Sequence, residues 1–165
     1  MLITIYLTAI VIANLSVAYF GPAAAIANAF VLIALDLTVR DRLHEQWNGR
    51  GLWFKMLALI GSGSLLSYAL NVNAGPIALA SFVAFLGAGL ADTLVYWLLG
   101  ERDRLVKVNG SNLVSSAVDS VLFPWLAFGW PLLWPIVLGQ FVAKVAGGWL
   151  WSLILFRRER KEALA

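Results

Sequence analysis

IALASFVAFLGAGLADTLVYWLL, residues Ile77–Leu99, runs directly into GERDRLVK, residues Gly100–Lys107. The first stretch is long enough for a helix to cross about 30 Å of hydrocarbon, which takes ~20 residues, and it carries one carboxylate, Asp92. The second packs Arg102, Arg104 and Lys107 behind it, as cytoplasmic loops beside membrane spans do.

The same alternation repeats along the chain. Apolar runs cover Leu2 to Phe20, Ala23 to Val39, Leu52 to Leu70, Ile77 to Leu99, Leu113 to Phe128 and Leu132 to Phe156. Turn-forming or helix-starting combinations separate them: Gly21-Pro22, Asn48-Gly49-Arg50-Gly51, Asn73-Ala74-Gly75-Pro76, Asn109-Gly110 and Gly129-Trp130-Pro131. Eleven of the twelve Lys and Arg residues fall in Arg40–Lys55, Arg102–Lys107 and Arg157–Lys161, and the alternate connections hold none. The positive-inside rule then gives six transmembrane helices with the N- and C-termini both in the cytoplasm. Tyr19, Phe20, Trp130 and Trp134 fall at the outer interface of that arrangement, and Trp47, Trp53, Trp97 and Trp151 at the inner one.

Composition agrees. An apolar fraction of 61% and a mean hydropathy of +0.84 exceed the roughly 45–50% apolar usage of soluble domains, so lipid is the expected solvent. At 165 residues the whole chain, 1–165, is needed for one six-helix domain, which leaves no room for a separate soluble enzyme. The Leu2 to Phe20 run has no basic leader and no small-residue cleavage site, and it reads as a span. The net charge of +3 reports topology and anionic lipid contact, with no nucleic acid implied. There is no Cys and a single His44, which excludes a disulfide framework, a thiolate nucleophile and a histidine metal site. Nucleotide-hydrolysis, zinc-protease and serine-hydrolase motifs are missing, so no enzyme and no cofactor are expected.

Small residues at helical spacing, Gly139, Ala143 and Gly147 among them, suit close helix packing. Ala9 and Ala13 offer a similar seam, either for the bundle or for a partner helix.

Ionisable groups inside spans cost on the order of 2.5–3.5 kcal/mol on insertion scales and are expected to face a partner or a cavity. Ser81, Phe85, Ala88, Asp92 and Tyr96 share one stripe of the fourth span. Asn112, Ser115 or Ser116, Asp119 and Phe123 share one of the fifth, Gln140 precedes Lys144 by one turn on the sixth, and the second carries Asn28, Asp36 and Arg40. Asp36 lies one turn from the cytoplasmic end of its apolar run. Together these stripes read as the walls of one polar site for a small, flat ligand: carboxylates accept from N–H groups, Lys donates, amides do both, and aromatic faces stack. A structural Asp119–Lys144 pair and a local Asp36–Arg40 pair are the alternatives.

The polar segments also carry a resemblance. FVLIALDLTVR, Phe30–Arg40, closely resembles the D-L-T-x-R signature of the queuosine precursor transporters, also called the vitamin uptake transporter family. Ile77-Ala-Leu-Ala-Ser-Phe with Asp92 following, Ser116-Ala-Val-Asp-Ser-Val-Leu-Phe123 and Lys144 match in order, from the second span to the sixth. Ser116 stands where the family often has Asn, with Asn112 one turn earlier.

The resemblance implies a multi-pass importer in a prokaryotic inner membrane, similar in fold to the substrate-binding subunits of energy-coupling-factor transporters. The implied substrate is a 7-deazaguanine base such as preQ0 or preQ1. Asp36, Thr38, Arg40, Ser81, Asp92, Asp119, Ser120 and Lys144 are carried over by position; Asn28, Phe85, Asn112, Ser116 and Gln140 join them from the stripes. In that reading Asp119 or Asp92 receives the N1–H and 2-amino groups of the base, Lys144 donates to its 6-oxo group, and Asp36 with Arg40 forms a cytoplasmic gate. The partners are the base, the bilayer and, in an assembled form, further copies of the chain. The alternative is a binding subunit that depends on an ATP-hydrolysing partner docked on Ala9 and Ala13, or an uptake protein for another purine or vitamin.

Overall fold

The computed structural model describes residues 1–47, 51–102 and 104–155, and all the regular structure among them is helical. Helix α1 covers Leu2–Phe20 and α2 covers Ala24–Asn28. A π-helical turn, Ala29–Ile33, leads into α3, Ala34–Gln46. Then come α4, Leu52–Leu70; α5, Gly75–Leu98; α6, Arg104–Phe128; and α7, Trp134–Leu155. Backbone angles stay right-handed helical at Asn28, Ala29, Ile33 and Ala34, so α2, the π turn and α3 form one continuous rod. Six rods result.

Local chemistry sets their ends. Gly21 and Gly129 close α1 and α6 with φ of 74° and 79°, a region that side chains with a Cβ avoid. After α4, Asn71 turns extended and its side-chain oxygen accepts from the Asn73 amide at 3.0 Å, and Pro76 sits in the first turn of α5 where its missing N–H is harmless. Inside the rods, hydroxyls return their protons to the preceding turn: Thr38 to Ala34 O, Ser67 to Gly63 O and Thr93 to Gly89 O at 2.8–2.9 Å. That leaves few polar groups looking outward.

The rods close into a ring in the order α1, α4, α5, α6, α7 and the 24–46 rod, which returns to α1. Close approach on α7 depends on its small residues. A Cβ on Gly147 would meet Phe30 O and the Ala34 methyl, and one on Gly139 would meet Ile26, so the Gly139, Ala143, Gly147 stripe is the seam against the 24–46 rod. The π turn is held at the same seam: Trp151 donates its indole N–H to Val31 O at 2.9 Å, supplying a donor where the widened turn disturbs the carbonyl ladder. Trp151 thus also ties α7 to the 24–46 rod.

Large apolar side chains point away from the ring in quantity, among them Leu65, Leu79, Leu90, Leu138, Val142 and Trp149 at 60–70% exposure. A water-soluble surface does not tolerate such coverage. Among the described residues, three stretches, Leu2–Phe20, Leu52–Leu70 and Val72–Val95, are long and apolar enough to cross a membrane. The molecule is an all-α membrane helical bundle.

Three expectations change. The second rod does not stop at Val39 but continues to Gln46, about 10 Å further, because Val39, Arg40 and Leu43 are buried and keep their helix packed. Helix α6 begins at Arg104, well before Leu113, since charge ends an apolar run without ending a helix. Ala9 and Ala13 are buried inside the ring, at 3% and 4% exposure, and are not open to a partner helix. The basic stretch Arg157–Lys161, Arg50 and the Tyr96 and His44 side chains lie outside the described residues.

Candidate functional site

The ring interior holds the polar residues that the lipid face lacks. Between α6 and α7, Lys144 Nζ sits 2.6 Å from Asp119 Oδ2, with the two side chains 1% and 5% exposed. The same ammonium donates to Ser120 Oγ at 2.9 Å and to Gln140 Oε1 at 3.2 Å. An ammonium has three protons, and here each has an acceptor. Lysine cannot accept, so it fixes the Gln140 amide with Oε1 inward and Nε2 turned away. That Nε2 is buried and has no partner.

The Asp119–Lys144 pair, the alternative the sequence left open, is thus formed. Lys144 neutralises Asp119 and orients Gln140, which leaves the amide as the unspent donor. One turn along α6, Pro124 supplies no N–H to the Ser120 carbonyl, so the helix continues to Phe128 with one backbone hydrogen bond missing at the residue that holds Lys144.

A small cavity opens beside this network. Asp119, Lys144 and Gln140 form one wall; Ser81, Phe85 and Phe123 form another; Asn14, Asn28 and the small residues Ala13 and Ala25 close it from α1 and α2. Asn28 Nδ2 is tied to Ser16 Oγ at 2.6 Å and Ala13 O at 3.2 Å, and Asn14 Nδ2 to Ser67 Oγ at 3.1 Å. Both amides therefore keep their oxygens available as acceptors. Ile33 of the π turn also reaches the cavity.

A second small cavity lies between α4 and α5. Arg40, Trp53, Met56, Leu57, Ile60, Leu86, Gly89 and Asp92 line it together with Phe85. Asp92 is half-buried, and its Oδ1 is buried with no hydrogen-bond partner. The stripes expected to wall one polar site thus serve two, because Phe85 fills the space between Ser81 and Asp92.

Asp36 lines neither cavity. It is 1% exposed, and the charges of Arg40 and Asp119 and the hydroxyl of Tyr6 act on it, yet neither of its oxygens has a partner in hydrogen-bond geometry. Thr38 is spent on Ala34 O, Ser116 is buried outside both cavities, Ser120 stands behind Lys144, and Asn112 is half-buried away from them with its carbonyl accepting from Ser115. Asn14 and Tyr6 are additions from α1. Asn14 obeys the rule that singled out Asn28, a lone amide in an apolar run; Tyr6 has no comparable signal.

Against this geometry, the model of a family described as putative vitamin uptake transporters matches residues 2–156. The chain belongs to the vitamin uptake transporter family. No curated protein and no solved structure matches it. The transporter is an integral membrane protein for a small-molecule substrate, and not an enzyme. Among its described residues no group of His, Cys, Asp and Glu is placed to hold a metal ion.

Proposed function

We infer that this transporter imports a 7-deazaguanine base, such as preQ0 or preQ1, across a prokaryotic cytoplasmic membrane. The observation that carries the reading is the Asp119–Lys144–Gln140 network at the wall of the first cavity. A guanine-like base has an edge with N1–H and a 2-amino group beside a 6-oxo group. Asp119 accepts the two N–H groups, the unpartnered Gln140 Nε2 donates to the oxo group, and the amide oxygens of Asn14 and Asn28 accept from the remaining ring N–H. Phe85 and Phe123 offer faces for the flat ring. Ordered matches to the D-L-T-x-R family signature support the same substrate class.

The substrate site comprises Asn28, Ser81, Phe85, Asp119, Gln140 and Lys144 at the base, with Asn112, Ser116 and Ser120 supporting α6. Asp36, Thr38, Arg40 and Asp92 stand on the cytoplasmic side. The chain acts as a single domain with six spans and both termini in the cytoplasm, an arrangement favoured by the eleven grouped basic residues and their absence from alternate connections. Six rods of transmembrane length also suit a fold like that of energy-coupling-factor substrate-binding subunits. Burial of Ala9 and Ala13 removes the docking seam that favoured dependence on an ATP-hydrolysing partner.

Uptake of labelled preQ0 or preQ1 in cells unable to synthesise the base tests this. Expression of the wild-type chain should restore uptake, and Asp119→Asn, at equal membrane abundance, should abolish it. Undiminished uptake by the variant would remove Asp119 from the site.

A further inference from the structure

Phe85 is the one residue shared by the linings of the two described cavities. On α5, Ser81 faces the first cavity, Phe85 faces both, and Leu86, Gly89 and Asp92 face the second. From Ser81 to Asp92 the helix rises about 16 Å, so the two spaces are stacked along the rod with one aromatic ring between them. That ring is 4% exposed and packs with Tyr6, Ile10, Val39 and Ile60, side chains from α1, α3 and α4.

The lower space has its own binding chemistry. Asp92 Oδ1 is buried, unpartnered and part of a wall that also holds Arg40 and the indole of Trp53. A carboxylate oxygen left without a donor inside a membrane bundle is expensive, and a ligand N–H satisfies it. Trp53 and Phe85 both line the space, so a flat base rich in N–H groups suits it as it suits the upper cavity.

We propose that the Asp92 cavity is a second station for the transported base and that Phe85 is the gate between the stations. The proposal rests on the reading of the upper cavity as the base site. Rotation of one ring, with no helix displaced, joins the two spaces. Asp92 then takes over the N–H groups that Asp119 releases, and Asp36 remains outside the binding steps. A hydrophobic constriction of this kind closes a polar path by excluding water.

The absence of Cys from the chain permits a direct test. Ser81→Cys places a single thiol in the upper cavity and Gly89→Cys one in the lower, where a Cβ at Gly89 meets nothing within 4 Å. In oriented vesicles, a membrane-impermeant thiol reagent is applied from the side of the Leu98 end of α5. Ser81→Cys should react slowly with Phe85 in place and about tenfold faster with Phe85→Ala, as expected when a hydrophobic constriction is opened. Phe85→Leu, which keeps apolar volume and guards against loss of folding, should give an intermediate rate. Equal rates in all three overturn the gate, whatever the substrate is.

Protection by preQ1 tests the stations. It should slow labelling of Ser81→Cys and of Gly89→Cys, and Asp92→Asn should abolish only the second effect. Protection of Ser81→Cys alone overturns the lower station and leaves the upper site standing. Protection of neither overturns the substrate reading itself.

Discussion

Asp119 and Asp36 are both buried carboxylates with a cation on the next turn or the next helix, and they are held in opposite ways. Asp119 on α6 is clamped across a helix interface by Lys144 of α7, whose remaining protons go to Ser120 and Gln140. Asp36 shares its own helix with Arg40 at i+4; the Arg40 charge and the Tyr6 hydroxyl act on it, and neither carboxylate oxygen has a partner in strict hydrogen-bond geometry. A pair across two helices fixes both of them and presents a finished wall to the cavity. Asp36 has its cation on its own helix and meets α1 only through the Tyr6 hydroxyl, with no ammonium clamp between two helices. The first arrangement suits recognition of a rigid base; the second suits a position whose surroundings change.

Stability measurements should expose the contrast. Lys144→Met leaves Asp119 buried without its cation and should lower unfolding stability in detergent by about 3–5 kcal/mol, with Asp119→Leu in the same chain recovering most of it. Asp36→Asn removes a charge that makes no hydrogen bond and should change stability by less than about 1 kcal/mol. Equal losses in the two single variants would break the comparison.

Gly147 lies between the two groups in structure, because it sets the approach of α7, and with it Lys144, to Phe30 and Ala34, two residues before Asp36. Gly147→Ala should cost about 1–3 kcal/mol by forcing the seam apart, whereas Gly148→Ala, with nothing within 4 Å, should be neutral. Circular-dichroism melts of the two variants check this.

The most specific effect on binding belongs to Gln140→Met. Lys144 retains Asp119 and Ser120, so the loss of stability should stay near 1 kcal/mol, while loss of the free Nε2 should weaken preQ1 binding about tenfold in a calorimetric titration.

Much of the bundle was legible because burial in lipid leaves so few choices. Leu2–Phe20 and Leu52–Leu70 begin and end where the apolar runs do. The α6 start was not, since Arg104 to Asn112 is polar and hydropathy marks membrane depth, a separate property from helix continuation. For the site, the scarcity of charge singled out Asp119, Gln140 and Lys144, and the structure places them together. The division into two cavities had no sequence signal: Phe85 is one aromatic among nine Phe residues, and only packing puts it between Ser81 and Asp92. Spacing likewise could not show that Lys144 uses all its protons within the protein.

The proposed recognition of the base turns on Asp119 within the network that Lys144 completes. Equilibrium binding of radiolabelled preQ1 to the purified, folded chain tests it most directly. Saturable binding by the wild-type chain, weakened at least about tenfold by Asp119→Asn, is the predicted result, a loss equivalent to roughly 1.4 kcal/mol or more. Equal affinity in the two proteins, or no deazaguanine binding by the wild-type chain, would contradict it.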